Sequence, residues 1–364
     1  MIQSKTPLYI ITTAYKAKQY IRPYLETLYN LINEVDNICI YIGIDGCKET
    51  LEEIVRIKEN ESYLSNDLHF KFYFSEKNVG TYVMKNSLLK EIENGDSIIH
   101  FFDIDDIMLP GYIEENFKKC LQLKSKFTDN FILRAMHFPL DNDIIDYIFK
   151  EKNNDRLNDT FAEQLIKNGN FLEALVCIVI MCINSKKISN KFSILIEKYQ
   201  SLKFDLIQRF KTYNRMDLLK ICLNNLNYKY TSLDTYKIIS EIIKLYYLKE
   251  FDLNSILQNK YLPVGSYGVF FCTYNCIQRL GFFNKYRVDQ DNDIMKRAKT
   301  LGINIITDES LPFFIRRIST TSLTRNHDTG YSSPYRLRIR SINDKLIAKN
   351  ILTARGIWQP LTRI

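Results

Sequence analysis

The chain has 364 residues, 46% of them hydrophobic and 25% charged, a balance that can bury sizeable cores and excludes a disordered or collagen-like polypeptide. Its eight cysteines are scattered through a chain long enough to fold without cross-links. They read as reduced core thiols, and Cys272-Thr-Tyr-Asn-Cys276 lacks the second Cys or His pair that a zinc site needs. Net charge is +8, and residues 331–364 alone carry seven basic side chains against Asp344, so six of the eight charges sit at the C-terminal end. A local basic segment suits an anionic partner such as membrane headgroups or nucleic acid, and equally a solvated helix face.

In chain order, Leu8 to Thr13 reads as a strand. Tyr20 to Ile32 reads as a helix, because Ile21, Leu25, Leu28 and Ile32 fall on one face. The alternation continues with a strand over Ile38 to Ile44, a helix over Glu49 to Lys58, a strand over Phe70 to Phe74, a helix over Tyr82 to Ile92 and a strand over Ser97 to Phe102. Alternating β and α segments predict an α/β fold with a mostly parallel sheet covered by helices. Ligands of such sheets collect at the C-terminal ends of the strands. Thr12-Thr13, Asp45-Gly46 and Asp103-Ile-Asp105-Asp106 all fall there.

From Leu140 to Leu262 the texture changes. One glycine, Gly169, and no proline interrupt long stretches of helical periodicity, which predicts an all-helical block. Asn170 to Cys177 and Arg215 to Cys222 resemble each other at an offset of 45 residues, as stacked helix pairs would, or as similar amphipathic helices arise by chance. Past Pro263 the β/α texture returns, with a helix from Asp291 to Leu301 and a strand from Asn304 to Thr307. The expected division is therefore an α/β domain built from 1–139 and 262–330, a helical insertion over 140–261 and a basic C-terminal extension over 331–364. The longest apolar stretch, Phe171 to Ile183, is too short to span a bilayer. Met1 to Tyr15 lacks the cleavage site of a signal peptide, so a cytoplasmic protein is expected, with peripheral membrane contact left open.

Asp103 and Asp105 follow the apolar run Ile98 to Phe102, where unpaired burial of carboxylates is costly. Coordination of Mg²⁺ or Mn²⁺, completed by substrate phosphates, removes that cost. An acidic turn capping the next helix would use the same residues. Asp289-x-Asp291-x-Asp293 is not a calcium loop, since Ile294 stands where glycine is required.

These segments occur in a telling order. Leu8 to Tyr15, Tyr41 to Cys47, Glu76-Lys77-Asn78-Val79-Gly80 with Lys85-Asn86, and Asp103-Ile-Asp105-Asp106 with Pro110 resemble four elements of the family 2-like GT-A glycosyltransferases. Those elements are the first strand with its nucleotide loop, the second strand, the Asn-x-Gly segment and the DxD element. The resemblance covers residues 7–139 and 263–325. It implies that Thr12, Ala14, Tyr15 and Asp45 surround the nucleoside and that Lys77 and Lys85 lie near base or phosphate. It further implies Asp103 on ribose or metal and Asp105 as the main ligand of Mn²⁺ or Mg²⁺.

Gly281 to Gly302 resembles the family's acceptor segment, with Gln290-Asp291 where Glu-Asp is usual, which implies Asp291 as general base. Arg316 to His327 resembles the closing Arg-x-His-x-x-Ser segment, with Ser319 in place of histidine. That leaves His327 or water as third metal ligand, and Arg316, Arg317 and Arg325 for the departing diphosphate, with surface salt bridges as their alternative. The implied activity is metal-dependent transfer of a sugar from a nucleotide diphosphate, UDP by family frequency, to a hydroxyl of a glycan, glycolipid or protein, with inversion. Two other uses stay open: a transferase acting on modified nucleic-acid bases held by the basic C-terminal segment, and a catalytically silent scaffold whose helical block binds a protein.

Overall fold

The computed structural model describes residues 4–32, 35–61, 69–93, 95–108, 111–141, 264–308, 314–318, 327–351 and 356–364. The chain divides into two compact units, Met1–Pro139 with Pro263–Ile364, and Leu140–Leu262. Of the helical block expected over 140–261, residues 142–261 lie outside the described residues, as do Ser319 and Arg325, whereas Leu140 and Asp141 end a strand rather than open a helix.

The first half of the larger unit runs β1 (Leu8–Ala14), α1 (Lys18–Leu31), β2 (Ile38–Asp45), α2 (Lys48–Asn60), β3 (Phe70–Ser75), α3 (Thr81–Lys90) and β4 (Ile98–Phe101). β1 pairs in parallel with β2 on one side and β4 on the other, and β2 pairs in parallel with β3. Strands covered on both faces need apolar side chains throughout, and β1 and β4 are buried almost end to end. α1 turns Ile21, Leu25 and Leu28 into the core, as its 3.6-residue spacing requires. α3 comes unusually close to the sheet. A Cβ on Gly43 of β2 would lie 2.7 Å from the Met84 sulfur, so a larger residue would force the Met84 and Leu88 side chains to give way.

The second half adds α4 (Tyr112–Phe127), β5 (Phe131–Asp141), β6 (Val264–Thr273), α5 (Tyr274–Arg279), α6 (Gln290–Thr300), β7 (Asn304–Thr307), β8 (Phe314–Ile318), α7 (Pro334–Ala348) and β9 (Thr362–Arg363). β6 lies antiparallel between β4 and β5, and β7 pairs parallel with β5. Among the described residues this makes a nine-stranded sheet of order β7-β5-β6-β4-β1-β2-β3-β9, with β8 paired to β5. The result is the mixed, mostly parallel α/β arrangement that the alternation predicted.

Under β4 the core is aromatic. His100 is fully buried, stacks on Phe271, and has Nδ1 3.3 Å from the Phe270 carbonyl and Nε2 3.3 Å from the Tyr112 hydroxyl. Burial pushes its imidazole down to about 3. The ring is therefore neutral, with Nδ1–H donating to the carbonyl and the tyrosine hydroxyl donating to Nε2.

The basic C-terminal segment is part of the same unit. Ser333 caps α7 by accepting from the Arg336 amide, Arg336 Nε donates to the Thr329 carbonyl, and Arg340 pairs with Asp289 at 2.9 Å. Beyond α7, Trp358 lies under the Lys90 ammonium and β9 pairs antiparallel with β3. No described helix is long and apolar enough to cross a membrane. The described cysteines, Cys39, Cys47, Cys120, Cys272 and Cys276, are free thiols.

Candidate active site

Strand order reverses beside β1, since β2 and β3 follow to one side and β4 to the other. The crevice beyond the strand ends at such a point is where open α/β sheets bind ligands. The segments after β1, β2 and β4 open there, and α3 crosses behind them.

After β2, Gly46 adopts φ +65, and a Cβ there would meet the Asn78 amide nitrogen at 2.3 Å. The turn thus lets residues 77–80 fold against the strand end. Asp45 accepts the amides of Val79 and Gly80 at 2.6 and 2.9 Å, one on each carboxylate oxygen. Burial pushes the Asp45 carboxyl up, and those two amides and the charge of Arg287 recover only part of the shift. Arg287 itself donates to the Asn78 carbonyl at 3.0 Å. Asp45, expected at the base, is therefore engaged with backbone and fixes the loop that opens α3.

After β4 three carboxylates have three environments. Asp103, with a side chain 39% exposed, lies 3.4 Å from the Lys85 ammonium, which is itself 4% exposed. Asp106 is buried and accepts the Arg317 amide at 3.0 Å, tying the acidic turn to β8. Burial together with the charges of Asp105 and Asp103 pushes the Asp106 carboxyl well up, and half-buried Asp105 shares that bias. Burial pushes its carboxyl up to about 6, the neighbouring Asp103 adds to the rise, and its own amide with Arg317 and Arg316 offsets only part of it. Arg316 has the complementary bias: burial pulls its guanidinium down, but Asp106, Asp103, Tyr331 and Asp291 outweigh that and hold it above its usual range. Oxygen donors short of positive charge suit a hard divalent cation of Mg²⁺ or Mn²⁺ type. Among the described residues no group of three or more His, Cys, Asp or Glu could hold a metal ion by itself.

The acidic triplet at the start of α6 is sorted differently. Asp289, in the left-handed region at φ 62, binds Arg340. Asp293 binds Arg297 at 2.9 Å with both side chains buried, and Arg297 also donates to the carbonyls of Leu280 and Phe282. Only Asp291 turns to the crevice, where its Oδ1 accepts the Tyr82 hydroxyl at 3.2 Å. Tyr82 and Lys85 are one turn apart on α3, with the Lys85 ammonium 5.9 Å from the Tyr82 ring. One helix face thus spans from Asp103 to Asp291. Gln290 is fully buried, and its Nε2 donates to the Val288 carbonyl at 3.0 Å. The glutamine in the Glu position therefore removes no carboxylate from the crevice.

The residues expected from sequence are thus brought together in part. Asp103, Lys85, Arg316 and Asp291 form one electrostatic group, with Asp105 bordering it. Thr12 and Ala14 are buried, Thr12 being bonded to the Tyr24 hydroxyl. Tyr15 is half exposed beside Lys16, and Lys77 is exposed. Arg317 directs Nε to the Asp105 carbonyl at 3.0 Å and lies over the Tyr20 ring, which leaves it a bracing part. His327 is 99% exposed and pairs with its neighbour Asp328 at 3.0 Å. Tyr82 and Arg287 join the site without being marked by the motifs in the sequence. Tyr82 carried a signal, since it lies three residues before Lys85 on one helical face.

No protein-family model and no curated protein matches the chain. Similar solved structures include TarS of S. aureus in complex with UDP-GlcNAc, at 13% identity and TM-score 0.47 over 96% of this chain and 67% of that one. TarS in complex with UDP gives 12% and 0.41 over 86% and 61%. The mannosyltransferase PcManGT of Pyrobaculum calidifontis in complex with GDP-Man and Mn²⁺ gives 7% and 0.44 over 94% and 70%. The chain thus spans 61% to 70% of the length of these proteins, and the ligands named are theirs.

Proposed function

We propose that the chain is a GT-A-type glycosyltransferase that moves a sugar from a nucleotide diphosphate to an acceptor hydroxyl with inversion. The observation that carries this reading is the half-buried carboxylate of Asp105, which desolvation and Asp103 push up further than Arg317 and Arg316 bring it back. It borders a group in which Lys85 and Arg316 face Asp103 and Asp291 across the switch-point crevice. A fold has no use for such an uncompensated charge, whereas a ligand that brings metal and phosphate relieves it.

Asp103 and Asp105 would hold Mn²⁺ or Mg²⁺, which when bound supplies positive charge to the leaving diphosphate. Lys85 and Arg316 add fixed cationic partners for phosphate oxygens. Asp291 takes the acceptor proton as the hydroxyl oxygen bonds to the anomeric carbon and the bond from that carbon to the diphosphate breaks. A single displacement inverts the centre. The test is nucleotide release from UDP-GlcNAc and GDP-mannose with Mn²⁺ and water as acceptor. Release is expected for at least one donor and is lost in Asp291→Asn. Release that persists unchanged in Asp291→Asn, or that is absent for every nucleotide sugar tried, contradicts the reading.

A further inference from the structure

Asp291 opens α6 with its two oxygens in unlike settings. Oδ1 accepts the hydroxyl of Tyr82, a tyrosine that burial and the charges of Asp291 and Asp103 keep firmly protonated. Tyr82 is itself held, its ring 5.4 Å from Phe283 and 5.9 Å from the Lys85 ammonium. Oδ2 has no partner among the described residues. It faces Gly268 of β6, where an added Cβ would lie 3.5 Å away, an ordinary van der Waals distance. Gly268 is not among the residues of positive φ, so neither backbone conformation nor packing demands a glycine there. What the missing side chain provides is open space beside Oδ2.

We infer that Tyr82 is a positioning residue and position 268 a specificity determinant: Tyr82 fixes Oδ1, so Oδ2 receives the proton of an acceptor alcohol that enters over Gly268. This rests on the glycosyl-transfer reading given above and goes beyond it in naming the proton-accepting atom and the side from which the acceptor arrives. The proton leaves the acceptor hydroxyl for Oδ2, the Tyr82 proton stays on its oxygen, and no further reactant is needed. A carboxylate free to rotate would present either oxygen in many orientations, whereas one pinned at Oδ1 holds the other in a near-attack geometry. The bulk of the residue at 268 then limits which alcohols can approach.

The experiment follows nucleotide release from UDP-GlcNAc and GDP-mannose with Mn²⁺, in water and in the presence of methanol or glycerol as probe acceptors. The ratio of alkyl glycoside to free sugar is read alongside. Tyr82→Phe is expected to lower kcat by about tenfold, the factor that corresponds to one lost hydrogen bond to a charged group, while KM for the donor holds. Gly268→Val is expected to lower the glycoside-to-sugar ratio, more for glycerol than for methanol. Thermal melting and UDP affinity verify that both variants are folded, and Gly268→Ala serves as the milder substitution. Wild-type turnover that is lost in Asp291→Asn but unchanged in Tyr82→Phe, with the same product ratio in Gly268→Val, overturns this inference and spares the glycosyl-transfer reading. No turnover by the wild type overturns both.

Discussion

Two acidic turns face each other across the crevice, each with three aspartates, and they are built on opposite terms. At the start of α6, Asp289 and Asp293 each have an arginine of their own, Arg340 and Arg297, and only Asp291 is turned outward. After β4 the charges of Arg316 and Arg317 act on the carboxylates without cancelling their desolvation. Asp106 accepts an amide, Asp103 shares a single lysine, and Asp105 is left with its proton affinity raised to about 6. Acids that serve the fold bring their counter-charge with them, and acids that serve a ligand wait for it. The turn after β4 therefore carries a charge deficit, whereas at the start of α6 two of the three aspartates are balanced by arginines.

The sharpest way to break this contrast is to remove a carboxylate that the fold requires. Asp293→Ala leaves the Arg297 guanidinium buried and unpaired, a change of about 3–5 kcal/mol in unfolding free energy. Urea denaturation measures it. A loss below about 1 kcal/mol, the worth of an exposed pair, would erase the distinction between the two turns.

At the turn after β4 the effect has the opposite sign and is smaller. Without metal or nucleotide, Asp105→Asn is expected to stabilise the protein at pH 7.5 by on the order of 2 kcal/mol, because each pKa unit is worth about 1.4 kcal/mol and partial exposure discounts the total. The native carboxyl, raised from 3.8 to about 6, binds its proton more tightly than the unfolded one. The two proteins should therefore be equally stable below pH 3.8, with wild type falling behind as pH rises through 6. His100 works the other way: depressed to about 3, it costs the native state stability as pH falls below 6.5. The difference between variant and wild type cancels that contribution and isolates the acidic turn, where the charge of Asp105 also raises Asp106. Equal stabilities across the whole range would show that Asp105 carries no deficit.

Much of this was legible in the sequence, for reasons that mark where legibility ends. β1, β2 and β3 are continuous apolar runs bounded by turn residues, and α6 begins within one residue of its expected start because its apolar spacing is regular. β9 has only Thr362 and Arg363, and its pairing with β3 links residues far apart in the chain. No local pattern encodes that. The same divide splits the site. Arg297 lies one turn from Asp293, so that pair was within reach of helical spacing. Arg340 lies 51 residues from Asp289, and Tyr82 lies 209 residues from Asp291. Sequence resemblance grouped Asp45 with the nucleotide residues, while its use in bracing Val79 and Gly80 emerges only once the loop is closed against the strand.

The central claim is that the deficit at Asp105 is filled by a divalent cation together with a nucleotide. Isothermal titration of UDP and GDP with and without Mn²⁺, on wild type and Asp105→Asn, tests it most directly. The account predicts that Mn²⁺ raises wild-type affinity for at least one nucleotide about tenfold or more and that Asp105→Asn abolishes the increase. Nucleotide binding that is indifferent to Mn²⁺ in both proteins, or absent from both, would contradict it.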